Sequence, residues 1–204
     1  ADIMNEDANY NEKFWDEVDK NSAAANRATL TAKTKKLDFR VCLGMDVSLH
    51  LNGEKLEPDT ELVEKTKYIA RKTKVNVGQG DQFTIYKHAA IVTSLNHEKE
   101  SLAEAAEEQL DRAVDKGFEQ MLREQAEAWE KKWEDSDIVI EGDLAAQQGI
   151  RFNIFQLNQT YTGEDERLNI GPKGFTGEKY GGSTYWDTEA RSEEHTSELQ
   201  SLLI

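Results

Sequence analysis

Large apolar side chains alternate with small or polar residues between positions 41 and 51, where the sequence is VCLGMDVSLHL. A period of two predicts a β-strand that buries one face, here the apolar set that starts at Val41 and Leu43. Asn52-Gly53 follows directly and is the strongest short hairpin signal, because both residues tolerate positive φ. Turn residues at Pro58-Asp59 and Gly78-Gln79-Gly80 separate three further predicted strands: Ala28–Lys35, Glu64–Val77 and Gln82–Ser94. Several antiparallel strands with short turns predict a β-sandwich, and four or five are too few to close one.

Residues 99–134 have a helical period instead. Ser101 and Glu104 match a capping box at the start. Apolar residues then recur at helical spacing, with Glu, Lys and Arg between them. The pattern predicts one long helix that packs on a neighbour through this stripe. A coiled-coil partner is the alternative, but irregular heptads and the interruption at Gly117 favour packing.

A third region begins near residue 143. The segment Ala145–Asn158 places Ile150, Ile154, Phe155 and Leu157 at helical spacing, which predicts a buried helix. A polar loop over Thr160–Arg167 follows it. The loop leads into a glycine-rich stretch, GPKGFTGEKYGGSTYWDTEA.

Composition and charge exclude several classes of function. The 204-residue chain has a net charge of −15, with 37% hydrophobic and 32% charged residues, as in a globular protein of modest core. Such acidity argues against nucleic acid or an anionic membrane as partner, since both attract Lys and Arg. Cys42 is the single cysteine, so no internal disulfide can form, and we expect it to be a small core residue. With no apolar run near the roughly 20 residues of a membrane span and an acidic opening segment unlike a signal peptide, we expect a cytoplasmic protein.

The glycine-rich stretch carries the candidate chemistry. Five glycines between residues 171 and 182 allow close approach of the backbone to a ligand. Their spacing fits neither a P-loop nor G-x-G-x-x-G, so nucleotide binding is excluded. His50, His88 and His97 have no second ligand at metal spacing, and we expect surface or hydrogen-bonded histidines rather than a metal site. What remains is aromatic rings beside carboxylates, a combination typical of sugar binding. A structural glycine loop with core aromatics fits the composition equally well.

The run IRFNIFQLNQTYTGEDERLNIGPKGFTGEKYGGSTYWDTEA resembles the start of the catalytic domain of the inverting disaccharide phosphorylases of glycoside hydrolase family 65. GFTGEKYGGSTYWDTE is its most specific part, and a weaker resemblance extends back to about residue 27. The family fold implies a mixed β and α fold: part of an N-terminal antiparallel β-sandwich over 1–97, a helical linker over 98–142, and the first segment of an (α/α)6 barrel over 143–190. The barrel would be truncated here.

The resemblance also implies an activity, in which inorganic phosphate attacks an α-glucosidic bond and yields β-glucose 1-phosphate and glucose. No metal or organic cofactor takes part, and the family's enzymes are typically cytoplasmic homodimers. Trp186 and Asp187 match the pair that contacts the non-reducing glucose in this family, with Trp186 as an aromatic wall and Asp187 as a hydrogen-bond acceptor. The family's single general acid, a glutamate, and its phosphate-binding residues lie downstream of this motif. We therefore expect no catalytic residue in this chain and no phosphorolytic activity from it. By overall likeness maltose is the expected substrate, with trehalose or kojibiose as alternatives, and a non-catalytic carbohydrate-binding or interaction module is the rival interpretation.

The residues after Ala190 differ in character from the glycine-rich stretch. RSEEHTSELQS, Arg191–Ser201, is the translation of the start of a common sequencing adapter, and all eleven residues fit. We interpret residues 191–204 as an artefactual tail, outside the natural protein.

Overall fold

The computed structural model describes residues 14–24, 26–160, 165 and 167, and these form strands and helices in a mixed β and α fold, as predicted. The chain divides into two units, one of residues Lys13–Glu127 and one of residues Ala1–Glu12 with Ala128–Ile204. The elements in chain order are β1 Trp15–Ala24, β2 Arg27–Thr34, β3 Arg40–Leu51, β4 Glu54–Leu56, β5 Thr60–Lys65, β6 Tyr68–Thr73, β7 Phe83–Thr93, α1 Leu102–Lys116, α2 Phe118–Ser136 and α3 Leu144–Thr160.

The first unit is built on a five-stranded antiparallel sheet around β3. Strands β1, β2, β3 and β4 are hydrogen-bonded in that order, and β7 pairs with the other edge of β3 along its whole length, from Val41 opposite Thr93 to Leu51 opposite Phe83. The predicted hairpin turn is confirmed, because Asn52 and Gly53 both have positive φ, 52° and 87°, between β3 and β4.

A second, two-stranded sheet contains a feature that the sequence prediction missed. Residues 64–77 were predicted as one strand, but the chain reverses at Lys67, whose φ is 56°, and forms the hairpin of β5 and β6. Arg71 of β6 donates hydrogen bonds to the Ser22 hydroxyl and the Ala24 carbonyl of β1. Strand β1 was not predicted at all, because WDEVDKNSAA lacks a clear apolar alternation.

Helix α1 covers the face of β3 that carries its small and polar side chains. Cys42 is fully buried there, and it shares a core with six residues of β7 and α1: Ala90, Val92, Leu102, Ala105, Ala106 and Leu110. Burial raises the pKa of the Cys42 thiol, which keeps it protonated and confirms it as a core residue. The prediction that β3 buries its apolar set is wrong for Leu43, which remains 48% exposed on the opposite face.

Gly44 explains why the helix lies on that face. A Cβ atom at this position would meet Leu110 Cδ1 at 3.0 Å and Ala106 Cβ at 3.5 Å. The missing side chain therefore lets α1 pack directly on the backbone of β3, as a small residue does at close helix–sheet contacts. This contact confirms the packing interpretation for the first part of the predicted helix.

The predicted long helix is two helices. Gly117 has a φ of 75°, which ends α1 and separates it from α2. The capping box is also not formed, since the Ser101 hydroxyl donates a hydrogen bond to the Glu98 carbonyl and caps no helical N–H.

A charged network links the sheet to α1. The Arg27 guanidinium donates through Nε to Asp46 Oδ2 at 2.9 Å and through Nη1 to Glu107 Oε2 at 3.0 Å and Asp111 Oδ1 at 2.6 Å. Burial alone would lower the pKa of Arg27, but the three carboxylates outweigh burial and raise it. The network therefore keeps one full positive charge between β2, β3 and α1.

Candidate functional site

The two sequence-predicted site residues, Trp186 and Asp187, lie outside the described residues, as do Gly171–Gly182. The structure therefore shows the helix that leads toward this stretch, and not the stretch itself. It also shows two concave surfaces in the first unit, which the sequence analysis did not identify.

Helix α3 is held in the second unit by side-chain contacts at its start. The Gln147 amide donates to the Ile138 carbonyl at 2.8 Å and accepts from the Ile140 N–H at 2.6 Å. Arg151 makes two hydrogen bonds to the Asp137 carboxylate, at 2.9 and 2.6 Å, and these lower the pKa of Asp137. Such bidentate contacts fix both the position and the rotation of a helix.

An aromatic contact adds to this anchoring. The rings of Trp129 on α2 and Phe155 on α3 lie 5.1 Å apart between centroids. The prediction that α3 is buried is wrong for this structure, because Leu157 is 72% exposed and Phe155 is 37% exposed. Its apolar residues therefore offer surface for further packing.

The first concave surface lies where α1 meets α2, and we call it the junction cleft. It encloses about 340 Å³ and is lined by side chains of β3, β7, α1 and α2, among them Ser48, Tyr86, His88, Phe118, Gln120 and Arg123. Tyr86 is central to it: its ring lies 5.3 Å from the His50 ring, edge to face, and 5.9 Å from the tilted Phe118 ring. The lining of the junction cleft therefore combines aromatic rings with polar side chains.

His88 in this cleft departs from the sequence expectation of a surface or hydrogen-bonded histidine. Its Nε2 atom is buried and has no hydrogen-bond partner among the described residues. His50, by comparison, places Nε2 at 3.3 Å from the Ser48 hydroxyl. A sequence signal for the cleft did exist, because Tyr86 and His88 alternate with Ile85 and Lys87 and must share one face of β7. The pairing that brings them beside Ser48 could not be derived from that pattern.

The second concave surface lies between β3 and the β5–β6 hairpin and encloses about 810 Å³. Met45, Val47 and Leu49 contribute its apolar part, and Arg71 and Asp59 are among its polar lining residues. It therefore occupies the space between the two sheet layers, where the apolar face of β3 is only partly covered. Such a space suits further apolar packing better than a small polar ligand.

The described part of the chain offers neither a metal-ligand cluster nor a membrane-spanning helix. Among residues 14–24, 26–160, 165 and 167, no group of three or more His, Cys, Asp or Glu side chains could hold a metal ion. None of the helices in these ranges is long and apolar enough to cross a membrane.

Comparison with known proteins connects these elements to a family. Residues 1–132 match the glycosyl hydrolase family 65 N-terminal domain, and residues 151–191 match the family's central catalytic domain. The maltose phosphorylase of Bacillus subtilis is 40% identical over 190 residues, which are 93% of this chain and 24% of that protein. The α,α-trehalose phosphorylase of Thermoanaerobacter brockii is 33% identical over 182 residues, 89% of this chain and 23% of that protein.

A solved structure shows the same likeness in three dimensions. A human-microbiome protein described as a kojibiose phosphorylase superposes with a TM-score of 0.62 at 26% identity, covering 86% of this chain and 22% of that one. The chain thus spans about a quarter of the length of the relatives it matches. Because the N-terminal domain match alone covers more than half of its residues, the chain belongs to glycosyl hydrolase family 65.

Proposed function

We propose that the protein from which this chain comes is a disaccharide phosphorylase that acts on maltose. The observation that carries the proposal is the continuous likeness to the Bacillus subtilis maltose phosphorylase over 93% of this chain. That likeness spans both the sheet unit and the glycine-rich stretch. In the proposed reaction phosphate attacks C1 of the non-reducing glucose while the glycosidic oxygen takes a proton, giving β-glucose 1-phosphate and glucose.

Trp186 and Asp187 are proposed to bind the non-reducing glucose. The match to the central catalytic domain includes both positions. An indole ring covers the C–H face of a pyranose, and a carboxylate accepts hydrogen bonds from its hydroxyls. Neither residue transfers a proton in this proposal. The general acid, a glutamate, and the phosphate-binding residues are assigned to the part of the parent protein beyond Ala190.

The remaining proposals concern the boundaries and the setting of the chain. Residues 1–97 are assigned to the N-terminal sandwich, 98–142 to a helical linker and 143–190 to the start of the (α/α)6 barrel, with 191–204 as an adapter-derived tail. The central-domain match ends at residue 191, at the start of the adapter-like run, which supports the last of these boundaries. The parent enzyme is proposed to be a cytoplasmic homodimer that needs phosphate as co-substrate and no metal or organic cofactor.

The test begins with the gene. Sequencing the source DNA with long reads through the codon for Ala190 should show an open frame that continues for several hundred residues without encoding RSEEHTSELQS. A genomic stop codon there, or the adapter-like run itself, would contradict the proposal and favour a non-catalytic carbohydrate-binding module.

The full-length protein is then assayed for phosphate-dependent release of glucose 1-phosphate from maltose, trehalose and kojibiose. Maltose should be the preferred substrate, and the 204-residue chain should release none. Asp187→Asn should lower kcat/KM by roughly 10- to 100-fold, since a hydrogen bond to a charged group contributes about 1.5–3 kcal/mol. Preference for trehalose would favour the second candidate, which the 33% identity to the trehalose phosphorylase supports.

A further inference from the structure

The turn between β3 and β4 contains the only Asn-Gly dipeptide of the sequence, Asn52-Gly53. Asparagine is a chemically labile residue, because the backbone nitrogen of the next residue can attack its side-chain carbonyl carbon. A following glycine favours this attack, since it has no side chain to obstruct the approach. Both residues are exposed, and a Cβ atom on Gly53 would meet no described residue within 4 Å apart from its chain neighbours. The turn therefore leaves room around Gly53 for the reaction.

Three hydrogen bonds connect Asn52 to Asp81 and Gln82, and we call this set of contacts the turn clasp. The Asn52 side chain donates from Nδ2 to Asp81 Oδ1 at 2.9 Å and accepts at Oδ1 from the Gln82 N–H at 2.9 Å. The Asn52 N–H donates to the Gln82 carbonyl at 2.8 Å. Both polar atoms of the side-chain amide are engaged, so the orientation of the amide plane is fixed.

Asp81 is itself held in position for the turn clasp. Its Oδ2 atom accepts a hydrogen bond from the Gly78 N–H at 2.7 Å, within the loop between β6 and β7. The hydrogen bond from the Asn52 amide, and then that from the Gly78 N–H, lower the pKa of Asp81. The carboxylate is therefore charged at neutral pH and is a strong acceptor for the Asn52 amide.

We propose that Asn52 is a deamidation site and that opening of the turn clasp limits the rate of its modification. In this reaction the Gly53 nitrogen attacks Asn52 Cγ, its proton passes to Nδ2, the Cγ–Nδ2 bond breaks and ammonia leaves. Water then opens the cyclic imide and leaves aspartate or isoaspartate at position 52. Because Cγ becomes tetrahedral during the attack, the hydrogen bonds that the planar amide makes to Asp81 and Gln82 must break first.

The product cannot re-form the contact with Asp81. A carboxylate at position 52 has no N–H to donate, and it brings a second negative charge to the place where Asn52 Nδ2 lies 2.9 Å from Asp81 Oδ1. Isoaspartate also lengthens the main chain inside the turn. Gln82 directly precedes β7, whose first residue, Phe83, pairs with Leu51. Deamidation therefore acts as an irreversible switch that loosens this end of the β3–β7 pair, whatever the activity of the parent protein.

The experiment incubates the 204-residue chain at neutral pH and physiological temperature and follows Asn52 by peptide mapping with mass spectrometry. Deamidation is detected as the mass gain from replacing NH2 by OH, and electron-transfer fragmentation distinguishes isoaspartate from aspartate. Asp81→Ala should speed the reaction about tenfold, because it removes a hydrogen bond to a charged group. Asp81→Asn keeps a neutral acceptor and should speed it about threefold. Unfolding in urea removes both side-chain contacts and should speed it about 30-fold.

Asp59→Ala is the matched control. Asp59 is also an exposed loop aspartate of the first unit, and its carboxylate takes no part in the turn clasp, so this variant should deamidate at the wild-type rate. Each variant is checked by circular dichroism, and Asp81→Asn decides the outcome if Asp81→Ala does not fold. Equal rates in the wild type and the Asp81 variants, or the same acceleration by Asp59→Ala, would overturn the proposal.

Asn52→Asp tests the effect of the product separately from its formation. The amide at position 52, which is bonded to the Gln82 carbonyl, should exchange its hydrogen about tenfold faster in this variant. The amides of Val41 and Thr93, at the opposite end of the β3–β7 pair, should keep their exchange rates. Unchanged exchange at position 52, or equal acceleration at both ends, would show that deamidation does not act as a local switch.

Discussion

Gly44 is the position where a single methyl group should most directly disturb the core. Its Cβ would meet Leu110 Cδ1 at 3.0 Å, Ala106 Cβ at 3.5 Å and Ala90 Cβ at 3.6 Å. Leu110 is fully buried, so its terminal methyl can move only by displacing other core atoms. Gly44→Ala should therefore destabilise the sheet unit through overpacking against α1.

The magnitude follows from two opposing terms. Overpacking a core costs about 1–3 kcal/mol, while alanine in a strand interior gains about 0.5–1 kcal/mol over glycine. We expect a net loss of about 1 kcal/mol. Leu110→Ala should cost about 3 kcal/mol, because it removes a fully buried side chain and leaves a cavity. In that background the methyl group added by Gly44→Ala enters the cavity, and this second substitution should stabilise by about 0.5–1 kcal/mol.

A double-mutant cycle measures this coupling. Urea unfolding is followed by far-UV circular dichroism, and hydrogen exchange of the β3 amides assigns the transition to the sheet unit. Gly44 and Leu110 should show a coupling of roughly 1.5–2 kcal/mol. The control cycle pairs Gly44→Ala with Leu102→Ala. Leu102 is 1% exposed in the same core, but none of the three atoms nearest to a Cβ at Gly44 belongs to it. Additive effects at Gly44 and Leu110, or equal coupling in both cycles, would refute the reasoning.

Three further perturbations test the electrostatics and the helix start. Arg27→Met should cost about 3 kcal/mol in urea unfolding because it removes the cation beside the Asp46 carboxylate, which is 4% exposed and keeps a hydrogen bond from the Asn26 amide, and adding Asp46→Leu should recover most of the loss. Asp38→Asn keeps the positive-φ backbone but removes the Lys99 ion pair, which together with Arg40 lowers the Asp38 pKa from 3.8 to about 2. Because that lowered pKa stabilises the fold above pH 4, the wild-type advantage in melting temperature should shrink as pH falls from about 4 to about 2, and an advantage that persists at pH 2 would exclude this origin. Asp143→Ala removes the 3.0 Å hydrogen bond to the Ala146 N–H and should destabilise the first turn of α3 by about 1 kcal/mol, measured as faster amide exchange there.

Local patterns were sufficient to predict the elements whose signals lie within a few residues. The alternation over 41–51 and the Asn52-Gly53 turn predicted β3 and its hairpin, and helical spacing predicted α3. The prediction was wrong where two strands follow each other and no turn residue separates them. Residues 64–77 have strand-forming residues on both sides of Lys67, and no glycine or proline marks the reversal there. Gly117 was recognised as an interruption of the helical pattern. The sequence alone, however, does not show whether the φ of this glycine is positive, and therefore whether α1 ends there.

The glycine-rich stretch and the junction cleft were not equally predictable from the sequence. The glycine-rich stretch stood out because its composition is concentrated within a few residues. The junction cleft did not, because it combines residues from positions 48 to 123, and their proximity depends on the pairing of β3 with β7 and on the break at Gly117. The assignment of Trp186 and Asp187 to glucose binding stays a prediction, since the described residues do not include them.

The two faces of β3 show why alternation predicts a strand but not what covers it. The even-numbered set, Cys42, Gly44 and Asp46, is small or polar and has little hydrophobic area, yet α1 covers it closely because Gly44 presents no side chain. The odd-numbered set has the larger apolar area. Leu43 of this set remains 48% exposed, and Ile91, which lies opposite Leu43 on β7, remains 66% exposed, because the β5–β6 hairpin covers only part of that face. Hydrophobicity therefore identified the face that needs a cover, whereas steric fit determined which face α1 occupies. A face with that much uncovered apolar area is expected to gain stability from a further packed layer, in proportion to the area that the layer removes from water.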